Sequence, residues 1–129
     1  MNIQIIYRTF GSKLRLGLAI AALGLLVLIT TLSLTQAQTG ISVNHFDKLA
    51  HGLAYCVLGF TVLPALAHVR MGFVWGGLCL YGIAMEITQG MMNVGRKADV
   101  LDAVANASGA LMAILLWVAI SFVVYRRQK

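Results

Sequence analysis

Asp47, Glu86, Asp99 and Asp102 are the only acidic residues in this 129-residue chain, and each has polar company at helical spacing. Asp47, His51 and Tyr55 follow at i, i+4 and i+8 with Lys48 beside them, so one helix would carry the first three as a stripe. Glu86 and Gln89, three apart, share a face by the same rule. Asp99, Asp102 and Asn106 step by three and four, with Arg96 three residues before them. His51, Glu86 and Asp102 are therefore the catalytic candidates, an imidazole and two carboxylates of the kinds that carry acid–base work. Lys48, Tyr55, Gln89, Asp99 and Asn106 are candidate binding residues. Arg96 is a candidate anion receptor, since a guanidinium matches phosphate or carboxylate with two parallel hydrogen bonds. Histidine plus carboxylates also suits several divalent ions. No HExxH or comparably tight spacing is present, so a metal is an alternative rather than the expectation, and no cofactor is specified.

Each of these residues has a plainer structural role against which the chemical one is weighed. Asp99 and Asp102 fit the N-cap and third positions of a helix, and Asp47 fits a cap as well. Glu86 sits inside an apolar run where no cap is needed, so an ion pair with Arg96 is its structural alternative. His51 would serve stability by bonding across helices. Tyr55, Gln89 and Asn106 are expected to donate or accept hydrogen bonds in support of their neighbours.

The elements that must position them follow from charge patterning. The chain is 60% hydrophobic and only 11% charged, against roughly 25% charged in a soluble domain. Residues 16–46, 49–69 and 103–125 hold no charge, and between 71 and 95 the only charge is Glu86. Each run supplies the roughly 20 apolar residues a helix needs to cross a bilayer core, and lipid requires the backbone to be satisfied within the segment. The expectation is an all-α integral membrane bundle of four transmembrane helices, at about 16–34, 48–67, 71–91 and 103–125. A basic lead, 1–15, and a basic tail, 126–129, flank this single domain. The first segment exceeds the roughly 7–15 apolar residues of a signal peptide core, so it reads as an uncleaved helix despite the faint cleavage pattern Thr35-Gln36-Ala37. Asn44 is a candidate N-cap for the second helix with Asp47 at its third position. Pro64 falls near that helix's end, and His68-Val69-Arg70 makes a very short turn.

Seven lysines and arginines would flank the helices on the side of the termini and three on the other, which favours cytoplasmic N- and C-termini in a bacterial cytoplasmic membrane. The acids, together with the N-termini of the second and fourth helices, would then share the outer face, where helix dipoles favour an anionic visitor that the acids partly oppose. His45 would lie at that interface, and His68 on the opposite side. The net charge of +6 gathers at helix ends rather than along one face, which argues against nucleic acid. Cys56 and Cys79 form no CxxC pattern and read as buried structural thiols. Small residues four apart, Gly72–Gly76, Ala105–Gly109 and Gly109–Ala113, are expected to pack inside the bundle.

The ordered string Asp47-Lys48-x-x-His51-x-x-x-Tyr55, Glu86-x-x-Gln89, Arg96-x-x-Asp99-x-x-Asp102-x-x-x-Asn106-x-x-Gly109 resembles the VanZ-like family over about residues 45–120. That resemblance implies a bacterial integral membrane protein and brings the theme of resistance to teicoplanin, a glycopeptide acting outside the cell membrane. It brings no settled reaction. Partners expected on this reading are membrane lipids and lipid-linked cell-wall precursors, which the outer-face cluster would bind and modify. The alternative is a non-enzymatic bundle or assembly partner whose polar cluster is a structural network. A transporter subunit is disfavoured, because the halves lack symmetry and the midplane lacks charge.

Overall fold

The computed structural model describes residues 11–35, 44–92 and 98–127. They form four helices: α1 (Ser12–Leu34), α2 (Asn44–Ala65), α3 (Met71–Met91) and α4 (Val100–Arg127). All four are long and apolar enough to cross a membrane. At 1.5 Å per residue even the shortest, the 21-residue α3, reaches about 31 Å, enough for a hydrocarbon core of about 30 Å. The expected bounds of α3 coincide with those found. The other helices begin up to four residues earlier, and α2 ends two residues sooner, after Pro64. Helix α4 starts early because Asp99 caps it: the Asp99 side chain accepts from Leu101 N–H at 2.8 Å, and its carbonyl accepts from Asp102 N–H at 3.0 Å. The capping role expected of Asn44 concerns a side chain outside the described residues.

The surface that would meet lipid is apolar, with Leu16, Ile20, Leu23 and Val27 exposed along α1 alone. Its hydroxyls are satisfied without water. Thr31, Thr61, Thr88 and Ser108 each donate at 2.8 Å to the carbonyl four residues earlier in their own helix, as lipid-facing hydroxyls must when no solvent is present.

Packing is densest between α2 and α4. Gly109 lies against the backbone carbonyl of Gly52, so a side chain at 109 would have no room. A Cβ on Gly59 would stand 3.0 Å from that of Ala113. Around this crossing Tyr55, Leu58, Ala110 and Ala113 are almost wholly buried. With little hydrophobic gain between helices in lipid, close approach of small residues and interhelical hydrogen bonds carry the association. Trp117 Nε1 donates to the Phe60 carbonyl at 2.8 Å, joining α4 to α2, and the two rings stack at 4.8 Å. Trp75 Nε1 donates to the Ala107 carbonyl at 3.1 Å, joining α3 to α4. Tyr81 and Thr30 hydroxyls are hydrogen-bonded at 2.8 Å, joining α3 to α1.

Two expectations are corrected. Ala105–Gly109 and Gly109–Ala113 do line the α2–α4 contact, but Gly72 and Gly76 face open space, because the inward face of α3 is set by Val74, Leu78, Gly82 and Met85. Two residues away along a helix is about 200° of rotation, which is the opposite side. Cys56 and Cys79 are free thiols, as expected, but only half-buried.

Candidate functional site

The up-down-up-down order brings the end of α1, the start of α2, the end of α3 and the start of α4 to one end of the bundle. All four carboxylates gather there, while Arg15, His68, Arg70, Arg126 and Arg127 lie at the other, where Arg15 approaches His68 Nδ1 at 3.4 Å.

Lys48 is the hub of this polar end. Its ammonium donates to Asp99 Oδ2 at 2.7 Å and to Asp102 Oδ1 at 2.9 Å, tying α2 to the first turn of α4. Asp102 Oδ2, on a carboxylate nearly buried, faces His51 Nε2 at 3.9 Å. Asp99 N–H donates to Glu86 Oε2 at 3.1 Å, which brings α3 into the same network. Glu86, Asp99, Lys48, Asp102 and His51 thus form a continuous chain of polar contacts across three helices, and Asp47 stands beside His51 one turn away. Asp99 is the group of this cluster outside the spans. The Lys48 ammonium first, and the Leu101 N–H second, hold its carboxyl below the usual carboxylate range.

Most of the residues singled out from sequence meet here. His51, Glu86, Asp102, Lys48 and Asp99 converge directly. Gln89 shares the buried face of α3 with Glu86 but turns to a different neighbour, donating to the Ser33 carbonyl of α1 at 2.7 Å. Tyr55 and Asn106 depart from the supporting role expected of them. Both are about 1% exposed and flank Gly82 of α3, yet the Tyr55 hydroxyl and Asn106 Oδ1 have no hydrogen-bond partner among the described residues. Tyr55 stacks on Tyr81 instead, at 5.7 Å between centroids. Arg96 and Lys97 lie outside the described residues, and so does the pairing of Arg96 with Glu86. The side chain of His45 is outside them too.

Two cavities open on the cluster from opposite sides. Between α1 and α2, a cavity of about 210 Å³ is lined by Ile29, Leu32, Ser33, Asp47, Ala50, His51 and Ala54. Between α3 and α4, an almost entirely apolar groove of about 440 Å³ runs past Cys79, Ile83, Ile87, Val104 and Ala107, with Glu86 and Asp99 also in its lining. The groove is the main feature here that residue types did not reveal, since its lining is ordinary membrane-helix sequence. Cys79, seven residues before Glu86 and therefore on its face, was the available signal.

A family model described as VanZ/LLP1 matches residues 10–123. The chain belongs to the VanZ/LLP1 family. The match spans all four helices, so the VanZ/LLP1 unit is the bundle itself, and the polar end described above is part of it. No curated protein and no solved structure matches the chain.

Proposed function

We propose that this VanZ/LLP1 protein binds an amphiphile, a membrane lipid or lipid-linked cell-wall precursor, in the α3–α4 groove with its polar head at the acidic cluster. The observation that carries this reading is the groove's chemistry: an apolar channel bordered by two helices whose lining also includes Glu86 and Asp99. Acyl or prenyl chains match the first part, and hydroxyl or amine groups of a head match the second. Arg96, by its place in the sequence, would receive a phosphate. The setting we infer is the bacterial cytoplasmic membrane with both termini inside, supported by the seven-to-three distribution of basic residues. A cysteine at Asn93 should then react with an impermeant thiol reagent added outside intact cells, whereas labelling of a cysteine at His68 instead would reverse the orientation. In that setting the polar end faces the compartment where glycopeptides act, which is how the protein would bear on resistance. Modification of the bound head would fall to Glu86, the acid–base candidate that lines the groove.

Capture of a photoreactive phospholipid or prenyl-phosphate probe by the protein in nanodiscs tests the reading. Glu86→Gln keeps shape and removes charge. The expected result is unchanged abundance with capture about tenfold or more weaker, the scale of a lost hydrogen bond to a charged group. Alkylation of Cys79 in a Cys56→Ala background should slow in parallel as the probe fills the groove. The second reading is a structural network, favoured by the complete internal pairing of Lys48 with Asp99 and Asp102. It predicts that Glu86→Gln loses abundance and leaves Cys79 alkylation indifferent to the probe, and that outcome would remove the binding proposal.

A further inference from the structure

We propose that Asp47, His51 and Asp102 form a binding site for one divalent transition-metal ion. Asp47 and His51 stand one turn apart on α2 and Asp102 faces them from α4, with one potential ligand atom from each lying within 4.8 Å of the others. The spacing inside the set is informative. Asp102 Oδ2 and His51 Nε2 are 3.9 Å apart, too far for a hydrogen bond. Two ligands each about 2.1 Å from one ion stand up to about 4.2 Å apart, so the gap has the width of an ion. Asp47 is exposed on the first turn of α2.

The surroundings fit the same use. Asp102 is 5% exposed, and Lys48 grips its Oδ1, which leaves Oδ2 turned to His51. Outer-shell partners orient metal-bound carboxylates in this way. Independently of the ligand set, the cavity between α1 and α2 opens on Asp47 and His51. It gives the ion room for water or a ligand at its remaining positions, as open metal sites require. One imidazole with two carboxylates suits zinc, manganese or ferrous iron. The site lies on the α1 side of Lys48 and does not depend on the α3–α4 groove holding a lipid.

The test uses the full chain, stripped with chelator and placed in nanodiscs, titrated with Mn²⁺ and with Zn²⁺. The expected result is one ion per chain, with affinity weakened about tenfold or more in Asp47→Asn and in His51→Gln. His68→Gln, at the opposite end, should bind as the parent does. Bound Mn²⁺ should show nitrogen hyperfine coupling that His51→Gln abolishes. Asp47 is exposed, so its substitution keeps the test valid even where Asp102→Asn disturbs folding. Affinity unchanged in Asp47→Asn or His51→Gln, or bound Mn²⁺ without nitrogen coupling, would overturn the proposal.

Discussion

Gly109→Ala should yield little folded protein. A Cβ at this position would overlap the carbonyl oxygen of Gly52 and lie 2.8 Å from its carbon. The obstacle is backbone on a facing helix, so no rotamer change relieves it and α2 and α4 must move apart. Separation would undo the Gly59–Ala113 approach and loosen Leu58, Ala110 and Ala113, which are almost inaccessible. Overpacking costs about 1–3 kcal/mol in ordinary cores and occasionally more. Here the upper end applies, because the contact that is lost is the most extensive in the bundle. Membrane-inserted abundance and the melting temperature in detergent would show it. Gly76→Ala is the matched control: nothing lies within 4 Å of its would-be Cβ, and alanine favours a helix over glycine by up to about 1 kcal/mol. It should be neutral or slightly stabilising. Equal melting of the two variants would mean that the backbones do not touch at Gly52.

The second large effect is expected from Lys48→Met. The substitution keeps the aliphatic stem and removes the cation from between Asp99 and Asp102, leaving the nearly buried Asp102 carboxylate without its counter-charge. Stranding one member of a buried pair is far costlier than replacing both. A several-fold fall in abundance is therefore expected. Adding Asp102→Asn to Lys48→Met should restore part of it, and simple additivity of the two changes would remove Lys48 from its role as hub. Acid behaviour gives a further readout. The Asp99 carboxyl is held below its ordinary range in the folded protein by Lys48 and Leu101. Its contribution is thus fully present above the ordinary carboxylate value and is lost as pH falls through the lowered one. Melting temperature should decline over that acid window in the parent and over a higher, narrower one in Lys48→Met.

Much of this architecture was legible because membrane helices announce themselves through what they lack. The charge-free runs set the number and order of the helices, and the alternating direction of those helices placed Glu86, Asp102 and His51 at one end. What sequence left out has identifiable physical reasons. Gln89 turns to α1 because its acceptor is the Ser33 carbonyl, and backbone acceptors leave no mark on residue type. Tyr55 leaves the stripe of Asp47 and His51 because eight residues accumulate roughly 80° of rotation, enough to aim it at Tyr81 and Gly82 of α3 rather than at the cluster. Gly52 carries no side chain and so no sequence signal of its own. Only the crossing with Gly109 shows it to be the point that sets how near α2 and α4, and hence Lys48 and its two aspartates, can come.

The four helices are not equally committed to one another. Helix α1 buries only Ala22 and Ile29 and is fastened to α3 by side-chain hydrogen bonds from Tyr81 and Gln89, whereas α2 and α4 meet backbone to backbone. Helix α1 also packs along α2, so it is held by that contact as well as by its side-chain ties to α3. The cavity holding Asp47 and His51 lies between α1 and α2, so its volume is governed by how closely these two helices stay packed.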